Sequence, residues 1–265
     1  MAEALPRREP RRPTSVPKPG ATAPPTDIAG LRSLIQATGT APSIYPGIAP
    51  LSLPECLRPL LPSGELARGT VISIPGTASR TTMTRSPDYL GLSLIAGSTA
   101  GGAWCGAVGL PDLGIAALSG LGADLGRVLC VDEPGDRWDE AVMVLAAAVD
   151  LVVLHPPARP SGEQLRRITA RLHTNARQRG AVLLVCGPWP GAHLVLETTD
   201  PQWHGLGDGT GNLTGRIVTV AAHGRSTAGL TRTVRLWLPA HDGTVRTATE
   251  DAQTVKPGQR HLRSA

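Results

Sequence analysis

From Leu60 onward the chain alternates between short, unbroken apolar runs and longer segments whose apolar residues recur every three or four positions. The runs are 70–74, 103–108, 127–131, 151–154 and 181–186. They predict strands, and their lack of polar alternation predicts a parallel sheet covered on both faces. The segments between them predict helices: 81–97, interrupted by Pro87; 112–121, capped by Asp112; and 136–149, opened by Asp136, Trp138 and Asp139. A basic helix over 161–179 starts at Ser161, with Glu163 nearby, and stops at Gly180. Strict strand–helix alternation of this kind is the pattern of an α/β fold. After Gly187 the texture changes. Segments 193–199, 216–223 and 231–238 read as strands separated by Gly-rich turns, and predict antiparallel hairpins that extend the sheet.

The ends follow different rules. Residues 1–25 are rich in Pro, Arg and Thr and are expected to be disordered. Residues 26–58 hold a short helix over 28–37, with Ile28, Leu31, Leu34 and Ile35 on one face, then a linker punctuated by Pro42, Pro46, Pro50 and Pro54. The folded domain is expected over 59–242, and 243–265 reads as a polar, basic tail. The net charge of +5 owes much to these ends, through Arg7, Arg8, Arg11, Arg12 and Lys18 and then Lys256, Arg260 and Arg263. Charge so placed is read as solvated tails, with weak electrostatic tethering to DNA as the alternative.

Composition narrows the picture further. The chain is 41% hydrophobic but 3% aromatic, with no Phe, so its core has to be built from Ala, Val, Leu and Ile. Cys56, Cys105, Cys130 and Cys186 are far apart and show no C-x-x-C spacing. The last three sit in apolar runs and read as small buried hydrophobes, which argues against a metal site. No secretory h-region follows the first arginines, and no apolar run approaches the ~18–20 residues that span a bilayer. A cytoplasmic protein without membrane contact is expected.

One motif carries candidate chemistry. Residues 71–83 read V-I-S-I-P-G-T-A-S-R-T-T-M: an apolar strand, a turn at Gly76, then a basic residue and two threonines. This is the outline of a phosphate-binding loop, G-x-x-x-x-G-K-[ST]. Aligned on Arg80, Thr81 and Thr82, the first glycine position holds Ile74, the second holds Ser79, and the lysine is Arg80. Backbone N–H groups of such a loop turn inward on the phosphate, and the second glycine needs freedom from a Cβ at the closest approach. Ser79 lacks that freedom. Arg80 is planar and forked where a compact charge is wanted. Thr81 keeps a hydroxyl suited to Mg²⁺. The acidic residue that would hold Mg²⁺ belongs at the end of a later core strand, and after 151–154 stands His155. The base that activates water should follow 103–108, where Asp112 is the one carboxylate of 109–114; helix capping is its more ordinary role. Three elements have lost their chemistry together. This predicts a domain that does not hydrolyse nucleotide, with no enzyme activity, cofactor or metal. An unorthodox NTPase holding phosphate through Arg80 and Thr81 is the alternative.

Further phrases widen the comparison: L-P-S-G-E-L-A-R-G-T (61–70), G-A-W-C-G-A-V-G-L-P-D-L-G (102–114), W-D-E-A-V (138–142), C-G-P-W-P-G-A (186–192), W-H-G-L-G-D-G-T-G (203–211) and L-W-L-P (236–239). The approach through 61–70 is similar to the Leu-Pro-x-Gly-x-x-x-Gly entry of RecA-type recombinases. Over roughly 60–243 the pattern resembles the RecA-like accessory proteins of the actinobacterial mutasome, the ImuA-prime family. The resemblance implies an α/β fold with a RecA-like, P-loop-type core: a mainly parallel sheet flanked by helices, with C-terminal antiparallel hairpin strands. It implies a non-catalytic accessory role in damage-induced translesion synthesis and mutagenesis. The implied partners are an inactive Y-family polymerase homologue and, directly or indirectly, an error-prone C-family polymerase, in the cytoplasm and at the nucleoid when in complex. A DNA-binding RecA paralogue, a weak ATPase in DNA repair and a SulA-type division inhibitor are the alternatives.

Candidate interaction surfaces follow. Arg166, Arg167 and Arg171, with Arg177 and Arg179, fall on the exposed sides of the basic helix, while Leu165, Ile168 and Leu172 face inward. Trp189 and Trp203 stand in Gly/Pro-rich segments of an aromatic-poor chain. Trp is favoured at interfaces, and plugging the end of the sheet is the equal alternative. In RecA the segment after the last core strand carries a mobile DNA-binding loop. The corresponding 205–211 holds no Lys or Arg and one acid, Asp208, so a Gly-rich hairpin turn is expected and DNA contact is expected to be weak.

Overall fold

The computed structural model describes residues 50–76, 86–176, 180–207 and 210–248. Both tails, the helix expected at 28–37, the loop positions Ser79, Arg80, Thr81 and Thr82, and Arg177, Arg179 and Asp208 lie outside the described residues.

The short apolar runs form strands. These are β1 (Val71–Ile74), β2 (Cys105–Val108), β3 (Val128–Val131), β4 (Leu151–Leu154) and β5 (Val182–Cys186). Two long strands follow, β6 (Leu194–Gly207) and β7 (Thr210–His223), then β8 (Arg232–Trp237) and the short β9 (Arg246–Thr247). They make one mixed sheet in the order β3-β2-β4-β5-β1-β6-β7-β8-β9. Every pairing from β3 to β6 is parallel, and every pairing from β6 to β9 is antiparallel. The helices are α1 (Tyr89–Ala100), α2 (Ile115–Gly120), α3 (Trp138–Ala146) and α4 (Gly162–Ala176). None of the described helices is long and apolar enough to cross a membrane.

The absence of alternation in the parallel strands has its cause in two apolar layers. Successive strand residues point to opposite faces. Ile72, Ile74, Val153 and Leu184 enter one cluster, with α1 and the segment around Leu51, Leu57, Leu60 and Leu66. Val71, Val152, Leu154, Leu183 and Val185 enter the other, with Trp138, Val142 and Leu145 of α3 and Ile168 and Leu172 of α4. The first cluster continues across the sheet through Leu194, Leu196, Val218, Val220 and Leu236. The second contains no residue of β6, β7 or β8. On that side the antiparallel strands present exposed Glu197, Thr199, Gln202, Thr233 and Arg235.

Several elements depart from the expected ones. α1 begins after Pro87, so the proline precedes the helix and Asp88 caps it. The helix is buried almost all round because the 51–60 segment lies on its outer side; a Cβ on Gly97 would stand 2.8 Å from the Pro54 ring. That segment is therefore part of the core and not a linker. Asp112 does not cap α2: the helix starts at Ile115 behind Gly114, because Leu110 and Leu113 are drawn into the core first. β3 is an edge strand with no neighbour beyond it, so its residues are partly exposed and Cys130 is exposed outright. β9 adds a strand to β8 within the expected tail. The expected loop at 205–211 is instead the outer end of the β6–β7 hairpin.

Candidate functional site

Parallel strands aim their carboxyl ends at one rim of the sheet, where open α/β folds bind ligands. Here that rim collects the ends of β1, β2, β4 and β5, and with them Ile74, Gly76, Gly109, His155 and Gly187. Ile74 is a buried core residue, whereas Gly76 is exposed with φ +80°.

The rim is closed by its own groups. The turn after β5 folds across the end of β1: the Gly187 N–H donates to the Ile74 carbonyl at 2.8 Å, and the Ser73 hydroxyl donates to the Gly187 carbonyl at 2.8 Å. The turn then drives Trp189 into the second apolar cluster, 6% exposed. His155 Nδ1 lies 3.1 Å from the Cys186 carbonyl oxygen. A carbonyl only accepts, so this bond places the ring proton on Nδ1. Its backbone is equally constrained. The His155 N–H donates to Val108 O at 3.0 Å, and a Cβ on Gly109 would stand 2.5 Å from the His155 carbonyl oxygen. Gly109, at φ +72°, is required by that close approach.

The amino end of α1 is held by Asp88, whose carboxylate accepts from the Gly91 N–H at 2.9 Å. Burial pushes the Asp88 carboxyl above its ordinary range, with the Gly91 amide and the Arg216 charge pulling it partly back. Burial likewise pushes the Cys186 thiol up to about 12, with the Asp88 charge adding to it. Arg216 is held below its ordinary value by burial, offset in part by Asp88. Asp88, Cys186 and Arg216 therefore form one electrostatic neighbourhood between the rim and the root of the β6–β7 hairpin. Its thiol stays protonated at neutral pH and is a poor nucleophile. Among the described residues no group of three His, Cys, Asp or Glu is placed to hold a metal ion.

The opposite edge of the sheet holds the most buried ion pair. Arg68 Nη1 meets Asp150 Oδ1 at 2.7 Å, with the two side chains 6% and 13% exposed. The other carboxylate oxygen accepts from the Trp104 N–H at 2.8 Å. These bonds tie the approach to β1 to the amino ends of β2 and β4, which is a structural task.

The remaining candidates are dispersed. Arg166, Arg167 and Arg171 are exposed on α4, while Ile168 and Leu172 are buried. Arg167 is engaged by the buried Asp139 of α3 at 3.2 Å. Ser161 and Gln164 cap the helix reciprocally, so the capping partner is Gln164 and not Glu163. Trp203 sits on the hairpin, 57% exposed, with the Arg216 guanidinium 5.2 Å from its ring centre. Sequence reasoning passed over Asp88 and Arg216. Asp88 follows Ser-Pro and precedes an apolar run, which is a readable N-cap signal. Arg216 becomes meaningful only through its pairing with Trp203 across the hairpin.

Comparison with known proteins gives two results. Residues 59–191, the stretch from just before β1 to just past Trp189, match the family described as the MT3502 N-terminal domain. The uncharacterized protein Rv3395c of Mycobacterium tuberculosis (strain ATCC 25618 / H37Rv) is 35% identical over 173 residues, which cover 64% of this chain and 75% of that protein. The phrases that build the rim thus lie inside a shared family pattern, and the chain belongs to the MT3502 N-terminal domain family.

Proposed function

We propose that the protein is a non-hydrolysing, RecA-like accessory subunit of a damage-tolerant DNA synthesis complex, and that it acts through contacts with an inactive Y-family polymerase homologue. The observation that carries this reading is the state of the α1 amino end. In a working phosphate loop a helix begins at the lysine and offers free N–H groups and a positive dipole end to the phosphates. Here the helix begins beyond Pro87, well past Arg80 and Thr81, and its first-turn amide is taken by the carboxylate of Asp88. A fixed negative group in that position repels an anion.

Two further observations support the same reading. His155 stands where a Mg²⁺-holding carboxylate would, and its ring is bonded to the Cys186 carbonyl. Asp112, the one carboxylate after β2 within 109–114, lies in a turn ahead of α2 and not on the rim strands. A nucleotide fold that retains its order of elements while its rim is self-satisfied is a scaffold, and its function lies on its surface.

The test is direct binding between the full-length protein and the purified Y-family polymerase homologue from the same genome. A stoichiometric complex is expected, and no association at micromolar concentrations would overturn the reading. Titration with ATP and Mg²⁺ checks the other half: tight binding abolished by Arg80→Ala would show a working nucleotide site.

A further inference from the structure

Six large apolar side chains stand exposed among the described residues, and three of them share one element. Trp203, Leu206 and Leu213, between 54% and 60% exposed, all belong to the outer part of the β6–β7 hairpin. Beyond Trp203 and Arg216 the two strands pair only with each other. β1 joins β6 at Leu194 and Val195, and β8 joins β7 from Ile217 to Ala222. A two-stranded ribbon alone is marginal in water, and one with exposed Trp and Leu needs a cover.

The shape of this arm is specified. Gly205 and Gly211 adopt φ +101° and +113°, and the backbones come so close there that a Cβ on Gly205 would collide with the Asn212 carbonyl. At the root, Arg216 donates to the Leu238 carbonyl at 3.0 Å and holds the Trp203 ring. Backbone pairing with another strand is discouraged on the β6 side, where Pro201 and the irregularity between Thr199 and Gln202 interrupt the edge. Recognition therefore falls to the side chains.

We propose that this arm is the docking surface for the polymerase homologue, inserted by Trp203, Leu206 and Leu213 into an apolar groove with an acidic rim. The partner's identity rests on the function proposed above. Its chemistry follows from charge. Residues 198–248 carry five arginines against three aspartates, whereas 112–140, at the far edge of the sheet, carry seven acidic residues against two arginines. An acidic rim is drawn to the arm and turned away from the β3 end. Nucleic acid is the poorer fit, because its affinity comes from several phosphate contacts and the arm's one arginine, Arg216, is already bonded. A second copy would bring its own acidic far edge, but that head-to-tail contact does not close and would grow into chains.

The test titrates the purified polymerase homologue into the full-length protein in three forms. These are wild type, the arm variant Trp203→Ala with Leu206→Asp and Leu213→Asp, and the surface control Arg166→Glu with Arg171→Glu. The arm variant should bind on the order of a hundred-fold more weakly, with an unchanged melting temperature, and the control should bind as wild type. Gly205→Val, which deforms the arm while keeping its apolar groups, should weaken binding about ten-fold. Wild-type affinity in the arm variant would overturn the assignment of the surface and leave the partner standing. No binding by wild type would overturn both. Sedimentation that shows arm-dependent self-association with partner binding intact would assign the arm to a second copy. Salt-dependent binding of a single-stranded oligonucleotide, lost in the arm variant alone, would assign it to nucleic acid. Either result overturns the proposal.

Discussion

The parallel and antiparallel halves of this sheet solve the same covering problem differently. β1, β2, β4 and β5 are buried on both faces, between α1 on one side and α3 and α4 on the other. β6, β7 and β8 share the first apolar cluster but have no helix layer on their second face. The parallel half satisfies its own polar groups even at the rim where a ligand would be expected. The antiparallel half leaves apolar side chains, and one open face, to something outside itself. In this molecule the conspicuous motif and the available surface are in different places.

The comparison can be tested from its strongest point downward. Arg68→Ala leaves Asp150 buried and uncompensated, so it should cost about 3–5 kcal/mol in urea unfolding. A loss near zero would mean that the parallel half is not locked at its amino edge. The two tryptophans give the sharpest contrast. Trp189→Ala should cost about 3–5 kcal/mol, and Trp203→Ala should stay within about 0.5 kcal/mol. Similar costs for both would erase the distinction between a core plug and an exposed anchor.

Asp88 gives a smaller effect with a definite sign. Asp88→Ala should cost about 1 kcal/mol through loss of the cap, while Asp88→Asn keeps an acceptor for the Gly91 N–H. The folded carboxyl titrates above the ordinary 3.8, so the fold disfavours its charged form. Its contribution is therefore least favourable above the folded pKa and improves as pH falls through that value. Wild type should gain on Asp88→Asn as the solution is acidified. A difference that stays flat or runs the other way would place the Asp88 carboxylate in water. The smallest effect concerns the thiols. Cys130 on the edge strand should react first with a thiol reagent in the native state, and Cys105 and Cys186 only on unfolding. A Cys130→Ser variant should lose that early phase.

What could be read from the residues divides along the same line. The five parallel strands stand within two residues of the apolar runs that predict them, because a strand buried on both faces writes a continuous pattern. The ends of α4 and the inward Ile168 and Leu172 were equally readable from helical spacing. Position in the sheet was not. Val128–Val131 is as apolar as an internal strand, and only strand order makes it an edge that exposes Cys130. The arm was hidden for a different reason. Its glycines at 205, 207, 209 and 211 read as a loop, whereas the pairing of β6 with β7 carries them as strand. Trp189 and Trp203 look alike in their Gly- and Pro-rich surroundings. The turn that seats Trp189 depends on bonds to Ser73 and Ile74, more than a hundred residues earlier, and no local signal contains them.

The junction between β1 and β6 has a mechanical meaning. Two register pairs join these strands, Ile72 with Leu194 and Ser73 with Val195, against four between β1 and β5. The first apolar cluster bridges the junction on one face, and the second stops short of it on the other. A sheet bonded lightly along a line and glued on one side bends about that line like a board with a cloth backing. A load applied to the arm would therefore be felt first at β1, as a swing toward the unbacked face that leaves the bridging cluster whole.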